Sequence, residues 1–354
     1  MRQIPLGELK PGMTLARTIL NKNMIVILSE NTFLTKAHIT RLEFLDIPSA
    51  FVKDEYELST SYQGIEAMLS RSNSFVVEYK DVLRTAREIF DAAAIEGGLP
   101  TEKANTMVTH SILPLIRHSG ILDYLYDLNH LANDVYNHSL RVSILSGVVA
   151  KWMHYDEAKV QDIILAGFLH DIGKTRFTPR LLEKLPQNLK GNDLDAYMQH
   201  TTDGHHILSQ KNELSDGIKL AALQHHECMD GSGFPFNSEG KDIHLYARII
   251  AIADIYDNIT TEREGLLKET PFTAIAQISR DMFSKLDPTV CVPFLTNIQE
   301  IFVGSAVILS DGHRGRIIQY PHDFSALPLI EIDKDHIIDL NKKKDLRITE
   351  YNPK

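Results

Sequence analysis

Only two cysteines, Cys228 and Cys291, occur in 354 residues. That excludes a disulfide framework and leaves two buried free thiols as the expectation. No apolar run reaches the roughly 18 residues that a membrane helix needs. The opening "MRQIPLGELKPGM" has no apolar stretch behind its arginine, so no secretory signal is expected either. Positive charge is short as well: 37 Lys and Arg face 47 Asp and Glu, a net charge of −10. A broad basic surface for nucleic acid or anionic lipid is thereby excluded. Any phosphate chemistry must take its positive charge from metals or from a few local Lys and Arg. Internal repeats and low-complexity tracts are lacking too. The rest is an ordinary globular balance, 43% apolar and 24% charged, at a length that suits one good-sized core with small additions.

Helical periodicity dominates from about 62 to 300, and the chain reads as four segments of a mainly α fold with small β-containing ends. Residues 1–60 read as a small α/β domain. "MIVILSENTFL" alternates around Glu30–Asn31, and "TKAHITRLEFLDI" has helical spacing at Ile39, Leu42 and Leu45. Residues 61–130 read as a helical connector and 131–301 as the helical zone that carries the chemistry. Breaks fall at "EGGLP", "RHSG", "TRFTP" and the glycine turn at 231–235. Residues 302–354 read as a small β unit, with two strands around Asp311–Gly312 and a third at "LPLIEI". The run "DKDHIIDLNKKKD" reads as a solvated turn and strand edge.

Histidine is unevenly spread. Nine of the sixteen (130, 138, 154, 170, 200, 205, 206, 225 and 226) fall within fewer than 100 residues, where a uniform scatter would put about four. Such clustering points to a metal centre. "VQDIILAGFLHDIGK" is an apolar helix that ends in His170, Asp171 and Lys174. "LYARIIAIADIYDNITTER" buries Asp254 in its most apolar part. An unpartnered buried carboxylate costs several kcal/mol, so Asp254 needs a cation, either a metal or a core arginine such as Arg248. "NDVYNHSLRVSILSGVVA" sets Asp134 and His138 four residues apart on one helical face. His200 follows in "MQHTTDGHHIL", and His225 and His226 in "QHHECMDGSGFPF". One histidine on an apolar face is usually a satisfied core residue. Five imidazoles and three carboxylates, each ending or interrupting an apolar helix, favour a metal site. His205, His206, Trp152, Met153 and His244 receive structural readings.

In this order, His138, "HDIGK", His200, "HHECMDGSGFP" and "ARIIAIADIYD" resemble the HD-GYP family of HD-domain phosphohydrolases over roughly residues 130–300. "PLGELKPGMTLA" is similar to the small domain that often precedes them. The resemblance implies an all-α catalytic core, a bacterial cytoplasmic setting, and hydrolysis of cyclic di-GMP to pGpG and sometimes on to GMP. It implies one metal on His138, His170, Asp171 and Asp254, and a second on His200, His225 and His226, with Asp171 as the bridge. Asp134 joins the candidate metal ligands. A set of nitrogen and oxygen donors without thiolate suits Fe or Mn, with Zn or Ni as alternatives.

Asp171 and Lys174 are the expected catalytic residues. Lys174, Gly233, Phe234, Asp257 and Arg263 are the expected substrate contacts, although Asp257, Thr260 and Arg263 equally suit a helix end. Three positions depart from the family pattern. Asp134 stands where a longer Glu can hold a third metal, so two metals are expected. Phe234 replaces the signature tyrosine. Glu264–Gly265–Leu266 replaces a stretch with a clamping basic residue, and Lys268 lies out of register. Two further functions therefore stand beside the leading one. One is a weakly active or inactive HD-GYP module that binds a nucleotide or partner; the other is an HD hydrolase for a different phosphoester. The expected ligand is cyclic di-GMP or a related phosphoester. A signalling-protein partner and a homodimer are further expectations, and neither DNA nor a membrane is.

Overall fold

A computed structural model describes the chain apart from residues 1, 11–12, 14, 21–25, 29–31, 33, 35, 53–62, 96–97, 119, 129–133, 183–187, 263–267, 321–326, 334–335 and 352–354. The described residues divide into two compact units. One comprises residues 1–77 with 295–354, and the other residues 78–294. These cuts fall at different places from the four segments read in the sequence, and the two chain ends share one unit.

The N-terminal part of the first unit holds β1 (Arg2–Pro5), β2 (Ile19–Leu20), β3 (Val26–Leu28), α1 (Lys36–Phe44) and β4 (Ser49–Val52). β1 pairs with β4 and β2 with β3, both antiparallel. Alternation along β4 buries Ala50 and Val52, and the spacing of α1 sends Ile39 and Leu42 into the same apolar cluster with Ile4, Leu15 and Leu34. The expected turn at Glu30–Asn31 lies outside the described residues.

Helices follow: α2 (Gln63–Ala93), α3 (Thr101–Met107), α4 (Leu113–Leu115), α5 (Ile121–Leu128), α6 (Val135–Trp152) and α7 (Glu157–Leu169). After a 3₁₀ turn at Ile172–Arg176 come α8 (Pro179–Leu182), α9 (Asn192–Met198), α10 (His200–Ser209), α11 (Asp216–Gln224), α12 (Leu245–Thr260), α13 (Pro271–Asp281) and α14 (Pro288–Phe302). Among the described residues no helix is long and apolar enough to cross a membrane. α6 is buried continuously from Asn137 to Ala150, so it is a central helix rather than an amphipathic one. Its first turn is capped by Asp134, whose carboxylate accepts from Asn137 N–H at 2.8 Å; Asp156 caps α7 in the same way through Lys159 N–H.

The last segment forms one antiparallel sheet of β5 (Ala306–Leu309), β6 (Arg314–Gln319), β7 (Leu329–Asp333), β8 (His336–Asp339) and β9 (Ile348–Tyr351), in the order β8-β7-β6-β5-β9. The β5–β6 turn carries Gly312 at φ 88°, which favours glycine. β8 lies inside the run read as a solvated turn and strand edge, and β9 had no strand signal. Both are short, and their registry comes from the neighbouring strands rather than from their own composition. Of the two thiols expected to be buried, Cys291 is, but Cys228 is only half-buried; both are free.

One close approach positions the chemistry. A Cβ on Gly173 would lie 1.9 Å from the His200 carbonyl oxygen and 2.6 Å from Gly204 N, so only glycine lets the "HDIGK" turn rest on the first turn of α10. Gly173→Ala should cost about 1–3 kcal/mol through forced backbone shifts, read as a lower denaturation midpoint. An unchanged midpoint would show that the turn does not depend on this contact.

Candidate metal centre

The site is built where apolar helices end or are interrupted. His170 caps α7 and Asp171 follows it, His200 opens α10, His225 closes α11, and His138 and Asp254 stand within α6 and α12. Their donor atoms gather into two groups. His138, His170 and Asp171 form one and His200, His225 and His226 the other, with the donors of each group within 4.8 Å of one another. Asp171, 0% exposed, stands between them. Its Oδ2 lies 3.4 Å from Nε2 of both His138 and His170, and its Oδ1 lies 3.3 Å from His200 Nε2 and 3.6 Å from His225 Nε2. Asp254 joins the first group, with Oδ1 3.1 Å from His138 Nε2 and a bond from Asn258 Nδ2 at 2.9 Å.

The imidazoles are aimed from behind. His170 Nδ1 donates to the Gly167 carbonyl at 2.7 Å, His200 Nδ1 to the Tyr197 carbonyl, and His225 Nδ1 to the Ala222 carbonyl at 3.0 Å. A carbonyl only accepts, so each of these rings carries its proton on Nδ1 and presents the Nε2 lone pair to the centre. His226 is held differently, with its ring stacked on Phe234 at 4.6 Å between centroids and 28° between planes.

These residues fit a divalent metal pair. Buried polar atoms in native proteins are nearly always hydrogen-bonded, yet His170 Nε2, Asp171 Oδ1 and His226 Nε2 are buried without a hydrogen-bond partner among the described residues. All three face into the donor groups, and an N/O donor set without thiolate is one that divalent transition metals accept. The HD domain family matches residues 128–290, the stretch that supplies every one of these donors.

Over residues 128–290 the chain is thus similar to HD domains. The chain is 29% identical over 231 residues to a cyclic di-GMP phosphodiesterase of Pseudomonas aeruginosa, covering 65% of this chain and 55% of that one. It is 34% identical over 192 residues to a cyclic di-GMP phosphodiesterase of Thermotoga maritima, with 51% of each chain covered. The chain thus spans about half the length of these relatives. The structure of an HDG"Y"P protein from Bdellovibrio bacteriovorus shares the fold at a TM-score of 0.53 and 16% identity, over 84% of this chain and 98% of that one.

Electrostatics around the centre separate the histidines. Burial pushes His200 down to about 3 and holds His170 and His226 below the usual range, which keeps their lone pairs available. Burial acts on His138 in the same direction, but the carboxylates of Asp171, Asp254 and Asp257 outweigh it and lift the ring to about 10. A metal held at His138 would have to displace that proton, so its uptake would release a proton and weaken as pH falls. Asp171 is itself buried, but Lys174 and the histidines keep its carboxyl well below the usual range.

Several expected residues have other neighbours. Asp134 belongs to neither donor group: Oδ1 caps α6, and Oδ2 faces Arg87 at 3.8 Å. Asp257, expected to face the ligand, is 1% exposed, and both its oxygens are engaged by His138 and Arg141. Gly233 serves a close approach, since a Cβ there would meet Glu227 Cα and the His226 carbonyl at 2.4 Å. Lys174 sits on Asp171 and beside the Tyr197 ring. Lys268 donates to the Tyr126 carbonyl at 3.1 Å and lies over that ring. Arg248 pairs with Asp287 at 2.7 Å, which rules it out as the structural partner of Asp254. Arg263 and Glu264–Gly265–Leu266 lie outside the described residues.

Sequence reasoning missed Arg141, Tyr197 and Glu227. The i, i+3 step from His138 to Arg141 was a readable signal, since it puts a guanidinium on the same face one turn behind that imidazole. Glu227 accepts from Phe236 N–H at 2.8 Å and Ser238 N–H at 3.0 Å and thereby pins the turn that carries Phe234. Nothing in the sequence distinguishes it from a solvated glutamate. For Asp134 the geometry gives a sharp test. Asparagine caps helices as well as aspartate does, so Asp134→Asn should leave both stability and metal content at the parent level by elemental analysis. Loss of one metal equivalent would make Asp134 a ligand after all.

Proposed function

We propose that this protein is a metal-dependent phosphodiesterase that hydrolyses cyclic di-GMP to pGpG. The observation that carries the proposal is the Asp171 carboxylate, buried with one oxygen toward each histidine group. The names of the Pseudomonas and Thermotoga relatives support the choice of nucleotide. In this reading His138, His170 and Asp254 would hold one metal and His200, His225 and His226 the other, with Asp171 available to both. When bound, the metals supply positive charge against phosphoryl oxygens and make water acidic enough to attack near neutral pH. Iron or manganese are the preferred occupants, and the setting is the bacterial cytoplasm.

The chain's own residues do the rest. Histidine rings locked by carbonyls need no reorientation when metal or substrate arrives. Lys174 is kept cationic: burial works against its charge, but contact with Asp171 raises its pKa. Its side chain is 17% exposed, so it can meet a phosphoryl oxygen or the leaving oxygen. Phe234 keeps His226 in place through its ring. A tyrosine hydroxyl there would add one hydrogen bond to a charged phosphate, worth about 1.5–3 kcal/mol.

Metal-loaded protein incubated with cyclic di-GMP should release pGpG. The double variant His170→Ala, Asp171→Ala should stay helical by circular dichroism but lose most of its metal and lower turnover by at least about 1,000-fold. Parent protein that holds metal and binds the nucleotide without cleaving it would instead be a nucleotide-binding module. Cleavage of another phosphoester in preference to cyclic di-GMP would keep the metal centre and replace the substrate.

A further inference from the structure

The carbonyl-held histidines share one arrangement, and His138 departs from it. Its Nδ1 meets a carboxylate, Asp257 Oδ2, at 2.8 Å. Asp257 in turn is gripped by Arg141, with Nε on Oδ1 at 2.6 Å and the terminal nitrogen on Oδ2 at 3.1 Å. Arg141 and Asp257 are each 1% exposed. The two pairs sit one helical turn apart on the same two helices. His138 and Asp254 face the centre from α6 and α12, while Arg141 and Asp257, three residues further along each helix, lie behind them. The Tyr79 hydroxyl is a further hydrogen-bond partner of Arg141.

A carboxylate behind a ligand histidine does more than a carbonyl does. It fixes the tautomer with Nε2 as the donor, and its charge makes that nitrogen more basic. The two halves of the site therefore differ. The His138 half has Asp254 and the shared Asp171 in front and Asp257 behind. The other half has three histidines and the shared Asp171 alone. We infer that Asp257, held by Arg141, is a positioning residue that aims His138 and makes the His138–His170–Asp254 half the first to fill, ahead of the His200–His225–His226 half. This rests on the two-metal reading above and says which residues make its halves unequal.

The test is a titration of metal-free protein with Co(II), followed by absorption and by elemental analysis. The parent should take up cobalt in two resolved steps. Asp257→Asn cannot serve both neighbours, because its amide nitrogen must face either the His138 N–H or the guanidinium, and both are donors. It should weaken the tighter step about 10–100-fold and leave the other within about twofold. His226→Ala should do the reverse, and Asp257→Glu, which keeps the carboxylate, should restore much of the tighter step. Should Asp257→Asn fail to fold with Arg141 left uncompensated, the paired variant Arg141→Gln, Asp257→Asn removes both buried charges together. It should show the same selective weakening at smaller size. Loss from both steps alike, or from neither, overturns the inference while the metal centre stands. A parent that takes up no cobalt overturns the two-metal reading itself, and this inference with it.

Discussion

The site depends on one constraint, a carboxylate that has been taken entirely out of water. Asp171 follows an apolar helix and is fully buried, and an isolated charge there would carry several kcal/mol of desolvation cost. The surroundings answer that cost from every side. Lys174 sits on Oδ2 with His138 and His170, while His200 and His225 converge on Oδ1. The elements that supply them, α6, α7, α10 and α11, are held at the distances this convergence needs. Gly173 permits the close approach of the 3₁₀ turn to α10.

Around that centre the fold spends its polar groups on aim. Carbonyls at the ends of α7 and α11, and that of Tyr197 in the last turns of α9, turn three imidazoles the same way. The glycine turn of residues 231–235 does the equivalent for His226 by stacking. Gly233 lets the turn lie against the backbone of residues 226–228, Glu227 ties its far side, and Phe234 covers the ring. Phe234 therefore keeps the packing function of an aromatic at this position, whatever a hydroxyl would add toward ligand.

The helical core and the histidines that gather at its centre were legible because they follow from types and spacing. An apolar helix that ends in His-Asp, or that buries an Asp, demands a cation at that point. Residues whose role depends on what lies across a helix interface were less legible. Asp257 looked like a ligand contact or a helix end, and only the packing of α12 on α6 shows it gripping Arg141 and His138. Asp134 had metal-like spacing from His138, but the same position is an N-cap, and the backbone N–H of Asn137 claims its oxygen. The short strands β8 and β9 were hidden because a four-residue strand is fixed by its neighbours more than by its own sequence. That the two ends of the chain belong to one compact unit had no local signal at all.

Diffraction from crystals of metal-loaded protein, collected at the absorption edge of the bound metal, tests the central claim most directly. The account predicts two anomalous peaks per chain, one beside each oxygen of Asp171, with Asp254 next to the first and His226 next to the second. A single peak, or two peaks that both lie away from Asp171, would contradict it.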